Sequence, residues 1–449
     1  MRKIILFLLL FVMCINISIL AACNNNVSED SSPRQAEHTI LPTLKEDTNN
    51  KENEEKESED EKKEYEETED VETNIIPNEE RAKQLLENVL KLYKKNQDQY
   101  FLHEYYPKKD NEASTAYLWS YFGALGMMYQ MNRLFPTDTN IREEYQTMLD
   151  NLAFYKNADS NDLLAKYNSA RGTSLNNGIG DIFFDDNIWI ARNMLFAYEI
   201  FGDEEYLAEA IRVTNFIYTG WNEEIGGLVW NENGLGTDAT PQELERGLSA
   251  NACSIIVNVK LYELTQDENY LNWALKFYDF CKQMQNSDTG IYYNGIHTVI
   301  KPDGTRINGS INKDLYAYNT GSMILADLLL YDITKEEEYY IDAKKAAATS
   351  HTVFMKEDNN VQYYKGYPWF IAILIEGYEA LSHYDSDFTT PFMDVLKTSL
   401  DYASNNYMNY YGMLPSNLAT GFNANYAEDR QLLTQSAYAE MYALLALMN

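Results

Sequence analysis

The sequence is poor in basic residues, histidine and cysteine. Its 449 residues include 36 lysines and arginines against 69 aspartates and glutamates, which gives a formal net charge of −33. Because such a chain repels phosphate backbones and other polyanions, we expect neither nucleic acid nor a polyanionic glycan as its ligand. The five histidines and four cysteines show no metal-ligand spacing, which argues against zinc or iron–sulfur chemistry. We expect neither a metal nor an organic cofactor. The hydrophobic fraction is nevertheless 45%, with 36 tyrosines and six tryptophans, which is enough for a large folded core.

Residues 1–22 have the pattern of a bacterial secretory signal. A positively charged start precedes an apolar run from Ile4, and small residues stand before Cys23. A cysteine at the cleavage site resembles the lipobox of bacterial lipoproteins, which implies that Cys23 is acylated and becomes the mature N-terminus. The alternative is an uncleaved transmembrane anchor, since the apolar run is close to the minimum length for a span. Either interpretation places the folded domain on the outer face of the cytoplasmic membrane.

Residues 23–77 have the composition of an acidic linker. Between positions 24 and 72 there are 18 acidic and six basic residues and almost no large apolar side chains. Such a segment cannot bury enough apolar surface to offset its chain entropy, so we expect a disordered spacer that holds the domain away from the membrane. No functional site is expected in it.

Two cysteines fall in the domain that follows. Cys253 and Cys281 both lie in apolar stretches with helical spacing, which favours buried free thiols. A single disulfide bond stays open as the alternative, because the domain is expected outside the cytoplasm.

From about residue 78 onward, the sequence has a helical pattern with an internal repeat. Apolar residues recur at three- and four-residue spacings between short clusters of Gly, Asn, Asp and Pro. Three segments resemble each other: residues 197–207, 261–271 and 330–340. Each predicts the end of one helix, a tight turn, and a second helix whose first turn carries acidic residues. A helical hairpin of this size must stack on others to bury its apolar face.

We expect residues 78–449 to form an all-α domain of about twelve helices in six hairpins. The predicted helices are 78–97, 114–134, 139–156, 186–201, 203–219, 243–265, 267–285, 314–333, 336–354, 367–383, 389–406 and 427–448. Six hairpins can close into a ring, which we prefer over an open solenoid because the sequence has no distinct polar capping repeats. The long segments between hairpins, rich in Gly, Asn, Asp and aromatic residues, are expected to build a groove at one end: 157–184, 220–242 and 286–313.

The residues best suited to chemistry stand at the start of one predicted helix. Residues 180–189 read Gly-Asp-Ile-Phe-Phe-Asp-Asp-Asn-Ile-Trp, which puts the adjacent carboxylates of Asp185 and Asp186 among aromatic side chains. Retaining glycosidases use two carboxyl groups about 5–5.5 Å apart, one as nucleophile and one as general acid/base. The structural alternative is a helix N-cap, where Asp and Asn are common. Taken alone, the pattern leaves both interpretations open.

Residues 184–189 resemble the Tyr-Asp-Asp-Asn/Glu-x-Trp signature of glycoside hydrolase family 76, the bacterial and fungal endo-α-1,6-mannanases. Other stretches resemble segments of the same family in the same order: residues 117–119, 221–230, 251–254 and 318–321. The similarity extends from about residue 114 to the C-terminus. It implies an (α/α)6 barrel, in agreement with the six hairpins expected from periodicity.

The resemblance also implies roles for individual residues. Asp185 would be the nucleophile and Asp186 the general acid/base. The candidates for substrate binding are Trp119, Asn187, Trp189, Trp230, Asn251, Asn294, Tyr318 and Asn319. For Trp119 and Trp189 a position in the core is the structural alternative, and for Asn319 it is a bond to backbone groups at a helix start.

At two positions the chain departs from the family pattern. Ala250 stands where a lysine is expected before Asn251, and Asn294 stands where an aspartate is expected before a glycine. These changes leave the reaction type standing and bear on the preferred linkage or branch pattern.

Together these features predict a monomeric, surface-anchored retaining glycosidase for an uncharged α-linked glycan, foremost α-1,6-mannan. A second hypothesis keeps the barrel but changes the chemistry, as in unsaturated-uronyl hydrolases or sugar epimerases, which depend on basic pockets or histidines. Lys and Arg are sparse in the predicted loops, and His297 is the one histidine there. A third hypothesis is a glycan-binding surface lipoprotein with a degenerate site, which the departures at Ala250 and Asn294 would suit.

Overall fold

A computed structural model describes residues 76–95, 101–236, 238–358, 360–416, 418 and 431–448. The predicted signal, Cys23 and all of the linker except its last two residues lie outside the described residues, and their interpretation stays a prediction. Within those ranges no helix combines the length and the apolar character needed to cross a membrane.

Twelve α-helices lie in the described residues. They are α1 (Asn78–Tyr93), α2 (Leu118–Leu134), α3 (Thr139–Asn151), α4 (Phe184–Phe201), α5 (Glu204–Thr219), α6 (Leu248–Thr265), α7 (Glu268–Lys282), α8 (Ala317–Thr334), α9 (Glu337–Phe354), α10 (Pro368–Ser382), α11 (Ser386–Asn406) and α12 (Leu432–Leu447). Every predicted helix has its counterpart in this set. The main differences are at helix ends, where several predicted helices extend into the adjacent turns.

The helices form a closed double ring. The inner helices α2, α4, α6, α8, α10 and α12 each pack against the next, and α12 packs against α2. The outer helices α3, α5, α7, α9 and α11 each pack on the inner helix that precedes them in the chain, while α1 packs on α12. The sixth hairpin therefore joins the two ends of the domain. The predicted (α/α)6 barrel is confirmed, and the open solenoid is excluded.

Burial differs between the two rings as the sequence pattern requires. In the inner helix α12 all residues from Leu432 to Leu445 are buried, because neighbours surround it on every side. The outer helix α5 buries a single face around Val213 and Ile217, and its opposite face carries charged residues such as Glu205. An all-round apolar helix is typical of an inner position and a one-sided stripe of an outer one.

The repeated segments are the turns from inner to outer helices. The inner helix of each repeat is followed by a residue in the left-handed conformation: Gly202, Gln266 and Lys335. Asp203 and Asp267 then accept hydrogen bonds from backbone N–H groups two residues later, at 3.0 and 2.9 Å, which caps the outer helix. Each repeat contains a tyrosine, and the alanine four positions after it is fully buried: Ala210, Ala274 and Ala343.

Strands were not expected, and five short ones occur in the described residues. They are β1 (Arg246–Gly247), β2 (Gly295–Ile300), β3 (Arg306–Asn312), β4 (Met355–Asp358) and β5 (Val361–Tyr364). β1, β2 and β3 form one antiparallel sheet in that order, and β4 pairs with β5. The β2–β3 hairpin lies within the segment 286–313, which is predicted as a loop from its Gly, Asn, Asp and aromatic residues.

Cys253 and Cys281 are both buried free thiols, as expected.

Candidate active site

The six inner helices begin at the same end of the ring, because an antiparallel outer helix separates each from the next. This end is called the mouth here. The mouth gathers six helix N-termini, whose unpaired N–H groups create a partial positive charge. It also gathers most of the residues that the sequence singles out.

Asp185 and Asp186 lie in the first turn of α4, on the mouth side. The N-cap residue of this helix is Phe183, and no side-chain capping bond is present. The interpretation of the two aspartates as an ordinary helix cap is therefore wrong. Both side chains are partly exposed, which leaves them in reach of a ligand.

Burial and mutual repulsion separate the two carboxyl groups in acidity. Burial raises the pKa of Asp185 to about 6, while the hydrogen bond from Ser249 and the proximity of Trp189 act to lower it. Burial raises the pKa of Asp186 further, to about 8, and the negative charge of Asp185 adds to that rise. At neutral pH the pair therefore holds one proton, which resides on Asp186 while Asp185 is ionised.

Ser249 in the first turn of α6 was not predicted as a site residue. Its hydroxyl donates to Oδ1 of Asp185 at 3.0 Å, which ties the start of α6 to the start of α4. A donor at this place stabilises the ionised form of Asp185. The one signal for Ser249 in the sequence is its position two residues before Asn251, a residue that the family resemblance singles out.

Trp189 forms the floor beneath the two carboxyl groups. Its side chain is 3% exposed and stacks on Phe122, with ring centroids 6.1 Å apart and an interplanar angle of 11°. The edge of Trp369 from α10 contacts it at 5.0 Å. Trp189 follows Asp185 by one helical turn in α4 and lowers its pKa, so it belongs to both the core and the site.

One side of the mouth is built by Phe183 and Trp230. Their ring centroids are 4.8 Å apart, and the backbone N–H of Phe184 donates to the carbonyl oxygen of Trp230 at 3.0 Å. Trp230 is partly exposed at the end of a loop that turns through Gly226 and Gly227, both at positive φ. This loop therefore presents an aromatic face next to the start of α4.

The opposite side is a larger aromatic cluster from α2, α8 and α10. Trp119 lies nearly parallel to Phe370 at 6.5 Å, and Tyr318 contacts Phe370 at 4.2 Å. Tyr367 lies 6.1 Å from Trp119. The sequence pattern did not lead us to Tyr367 or Phe370 at the start of α10, although residues 367–369 repeat the Tyr-x-Trp spacing of residues 117–119.

Asn187 and Asn251 do not have the position expected of substrate ligands. Both are fully buried. The side chain of Asn187 bonds the backbone N–H and carbonyl of Tyr167 at 2.7 and 2.9 Å. The side chain of Asn251 accepts from the N–H of Leu228 at 3.0 Å and donates to the carbonyl of Gly247 at 2.7 Å. Their amides fix the loops that frame the mouth, which corrects the role predicted for them.

Asn294 and Asn319 form a pair between the β2 and α8 starts. Nδ2 of Asn319 donates to Oδ1 of Asn294 at 3.1 Å. Asn319 is fully buried, whereas Asn294 is partly exposed. The backbone carbonyl of Asn294 also accepts from the N–H of Leu248 at 2.7 Å, one residue before Ser249. Asn294 therefore lies beside the start of α6, with its amide oriented by Asn319.

A buried arginine fixes the loops on this side of the mouth. Arg246 is fully buried and donates to the backbone carbonyls of Ile225 and Gly226 at 2.9 and 2.6 Å. It also donates to Thr298 at 3.0 Å and to Asn308 at 2.5 Å, so it joins the glycine loop to the β2–β3 hairpin.

In the part of the chain that the structure describes, no cluster of three His, Cys, Asp or Glu side chains could hold a metal ion.

Comparison with known proteins assigns the chain to a family. The model of glycosyl hydrolase family 76 matches residues 78–446. The chain belongs to glycosyl hydrolase family 76. A search of curated proteins gives no match.

Solved structures of the family have the same fold. The family 76 mannosidase Bt3792 from Bacteroides thetaiotaomicron is 23% identical, with a TM-score of 0.72 over 83% of this chain and 98% of that one. An inactive variant of the α-1,6-mannanase GH76A from Salegentibacter sp. HEL1_6, in complex with α-1,6-mannotriose, is 19% identical with a TM-score of 0.65. It covers 83% of this chain and 100% of its own.

A third solved structure is similar as well. Dfg5 from Chaetomium thermophilum, in complex with glucosamine, is 16% identical with a TM-score of 0.62, over 83% of this chain and 90% of that one. The family membership makes this chain a glycoside hydrolase, in line with its paired carboxyl groups.

Proposed function

We propose that this family 76 enzyme is a retaining glycosidase that cleaves α-1,6-mannan or a closely similar uncharged α-glycan. The observation that carries the proposal is the adjacent pair Asp185 and Asp186, partly exposed at the mouth and differing in pKa, at about 6 and about 8. A general acid and a nucleophile are distinguished by such a difference in pKa. In the α-1,6-mannanase from Salegentibacter, an inactive variant carries asparagines in place of two consecutive aspartates, which supports the same pair here.

In the first step the ionised carboxylate of Asp185 attacks the anomeric carbon. The glycosidic bond breaks, and the proton of Asp186 passes to the leaving oxygen. The products are a glycosyl ester on Asp185, a free sugar hydroxyl and ionised Asp186. In the second step Asp186 takes a proton from water, whose oxygen attacks the anomeric carbon and releases Asp185. Two inversions give net retention.

The surroundings of each carboxyl group support these roles. Asp185 receives a hydrogen bond from Ser249, which stabilises it as an anion before and after the reaction. No hydrogen bond lowers the pKa of Asp186, and the negative charge of Asp185 next to it keeps Asp186 protonated. When Asp185 is consumed in the ester, that repulsion disappears and the pKa of Asp186 falls. The fall makes Asp186 a better base for the second step.

The aromatic sides of the mouth are proposed to bind sugar rings. Trp230 with Phe183 lies on one side, and Trp119 with Tyr318 on the other, and each pair leaves part of an aromatic surface exposed. Sugar C–H faces pack on such surfaces without requiring charge. Asn294 is proposed to hydrogen-bond a hydroxyl group. This lining suits an uncharged glycan, and the mannan specificity of relatives points to α-1,6-mannose units.

Anchoring completes the proposal. Acylated Cys23 would hold the enzyme on the outer face of the cytoplasmic membrane, and the acidic linker 23–77 would extend it as a monomer towards its polymeric substrate. Metabolic labelling with a fatty acid tests this directly. We expect label in the wild type and none in Cys23→Ser, and equal labelling of the two would contradict lipidation at this residue.

The reaction type is tested by following hydrolysis of linear α-1,6-mannan with proton NMR. We expect the α-anomer to form first and to mutarotate later to the equilibrium mixture. Immediate formation of the β-anomer would contradict a nucleophilic Asp185. A parallel incubation with uronate oligosaccharides should give no product, and cleavage there instead of on mannan would overturn the proposed substrate.

A further inference from the structure

A buried carboxyl group at the junction of the two ends of the ring takes no part in the reaction described above. Glu104 lies between α1 and α2 and is fully buried. Its Oε2 accepts from the backbone N–H of Tyr117 at 2.9 Å, and its Oε1 accepts from the hydroxyl of Ser120 at 2.8 Å. Both donors belong to the start of α2, so this carboxyl group fixes the helix turn that carries Trp119.

The same carboxyl group also holds the start of α12. Nε2 of Gln431, the N-cap residue of α12, donates to Oε1 of Glu104 at 2.7 Å. The backbone N–H of Leu432 donates to the carbonyl oxygen of Glu104 at 2.9 Å. Glu104 therefore joins the first turns of α2 and α12, the two inner helices at which the ring closes.

From Gln431 the hydrogen bonds continue to the aromatic side of the mouth. Oε1 of Gln431 accepts from the hydroxyl of Tyr367, which is the N-cap residue of α10. The ring of Tyr367 lies 6.1 Å from that of Trp119 and 5.6 Å from that of Phe370. The hydrogen-bond chain Glu104–Gln431–Tyr367 thus connects a group without access to solvent to aromatic rings that border the mouth.

The direction of this chain depends on the carboxyl group at its buried end. Both oxygens of Glu104 accept hydrogen bonds, so the position requires an acceptor at each of them. A carboxylate offers acceptors only, whereas a glutamine of the same size has one oxygen and one amide nitrogen, which donates. With Glu104 accepting, the amide of Gln431 turns its nitrogen to Glu104 and its oxygen to Tyr367. The carboxyl group therefore sets the orientation of the Gln431 amide, and that amide fixes the Tyr367 hydroxyl.

Helix capping alone does not account for these side chains. An Asp or Ser at an N-cap position would bond to the free N–H groups of its own helix. The side chains of Gln431 and Tyr367 form no such capping bond in α12 or α10. They bond to each other across two helices, which fixes the Tyr367 ring relative to Trp119.

We propose that Glu104 and Gln431 are positioning residues, which hold the Tyr367 ring so that the aromatic side of the mouth keeps the shape that binds sugar. This inference rests on the proposed function, in which Trp119 and Tyr318 bind sugar rings. It gives a fully buried carboxyl group a role in substrate binding, separate from the bond-breaking step at the paired aspartates.

The test compares steady-state kinetics on linear α-1,6-mannan in the full-length enzyme. Glu104→Gln puts an amide N–H where an acceptor is needed, and Tyr367→Phe removes the hydroxyl but keeps the ring. We expect each variant to raise KM by roughly fivefold or more, as for the loss of one hydrogen bond, with kcat changed less than about threefold. An unchanged KM in Glu104→Gln would overturn the proposal.

A double variant shows whether Glu104 acts through Tyr367. If it does, Glu104→Gln/Tyr367→Phe should have a KM no higher than that of the worse single variant, whereas the effects of independent residues would multiply. Multiplied effects would overturn the proposal. If Glu104→Gln does not fold, Gln431→Met takes its place, because it removes the middle of the chain at a partly exposed position. The same criterion then applies to Gln431→Met/Tyr367→Phe.

Tyr378→Phe is the matched control for a loss of stability. It removes a buried hydroxyl of the same helix, 2.9 Å from that of Ser350 and further along α10 from the mouth. We expect its KM to equal that of the wild type, whatever its melting temperature. A rise in KM equal to that of Tyr367→Phe would mean that KM follows stability alone, and it would overturn the proposal.

A measurement without substrate separates this inference from the proposed function. The protein is labelled with 5-fluorotryptophan, and of its six tryptophan signals the one that disappears in Trp119→Phe belongs to Trp119. Because the ring of Tyr367 lies next to Trp119, this fluorine-19 resonance should move by more than its line width in Glu104→Gln and stay in place in Tyr378→Phe.

An unmoved Trp119 resonance in Glu104→Gln would overturn the positioning role even if the enzyme cleaves mannan. A moved resonance together with no mannan cleavage by the wild type would instead refute the proposed function and leave the orientation of the Tyr367 ring by Glu104 standing.

Discussion

Carboxyl groups with raised pKa occur in two regions of the barrel, at the mouth and in its middle, and their surroundings differ. Asp185 and Asp186 at the mouth keep part of their surface exposed and lie next to each other. Asp327 in α8 and Glu440 in α12 are fully covered by neighbouring helices. Burial raises the pKa in both regions, so a raised pKa alone does not identify a catalytic group.

The carboxyl groups at the mouth differ from those in the middle because a ligand can reach them and because they lie next to each other as a charged pair. The pKa of Asp186 is raised in part by the anion of Asp185, and the Ser249 hydroxyl donates a hydrogen bond to that anion. Burial raises the pKa of Asp327 well above the ordinary range, and neither of its carboxyl oxygens has a hydrogen-bond partner among the described residues. Asp327 is accordingly a neutral group of the core. The comparison predicts that identical chemical changes have large kinetic effects at the mouth and none in the middle.

The largest expected effect comes from the pair itself. Asp186→Asn should lower kcat on α-1,6-mannan by about 10²–10⁴-fold, the range for loss of general acid/base catalysis, and Asp185→Asn by at least as much. Steady-state release of reducing ends measures both. Asp203→Asn, an acidic residue at the N-cap of α5, is the matched control and should retain wild-type turnover.

An activated aryl α-1,6-mannobioside tells the two roles apart. Its leaving group needs no protonation, so Asp186→Asn should still form the glycosyl ester and show a burst of released phenol. Asp185→Asn should show no burst. Wild-type turnover in either variant on mannan would remove that carboxyl group from the mechanism.

A smaller effect is expected at Ser249. Ser249→Ala removes the 3.0 Å hydrogen bond to Oδ1 of Asp185. A bond to a charged group contributes about 1.5–3 kcal/mol, which corresponds to roughly a 10- to 150-fold loss in kcat/KM. The acidic limb of the pH profile should also move to higher pH, since Asp185 loses a donor that favours its anion. Ser249→Thr retains the hydroxyl and should restore most of the activity, and an equal loss in both variants would contradict the hydrogen-bond role.

The smallest effect is expected for Asp327→Asn in the middle of the barrel, where kcat should not change. The folded-state pKa of Asp327 lies above its unfolded value. Its contribution to stability is thus fully present below about pH 4 and is lost as pH rises through the folded pKa. The variant should therefore melt higher than the wild type, by roughly 1–2 °C per kcal/mol gained in a domain of this size, and the gap should widen from pH 5 to pH 8. Scanning calorimetry at these two pH values measures it, and a gap that narrows would contradict a buried neutral Asp327.

Much of the fold could be predicted from the sequence because helical periodicity is a local property. The three repeats at residues 197–207, 261–271 and 330–340 contain their own turns and caps, so each hairpin is readable from a short window. The closure of α12 on α1 depends on contacts between the two ends of the domain, which no window contains. The β2–β3 hairpin was missed for a similar reason, since the buried Arg246, far from it in sequence, holds it in place.

The site divides in the same way. Asp185 and Asp186 were found because they are adjacent in sequence, whereas Ser249 contacts Asp185 from another helix. The asparagines 187 and 251 were assigned to substrate because an amide suits a sugar hydroxyl. Their burial shows that the same amide is used to pair backbone groups. The residue type determines which hydrogen bonds a side chain can form, and the packing determines which of them are already formed within the protein.

The most direct test of the account is the pH dependence of kcat/KM for linear α-1,6-mannan. Activity requires ionised Asp185 and protonated Asp186, so it should rise with pH through about 6 and fall through about 8, as apparent values of the coupled pair. In Asp186→Asn the residual activity should lose its descending limb. A descending limb that persists in that variant, or a wild-type profile that is flat between pH 5 and 9, would contradict a single proton held by these two carboxyl groups.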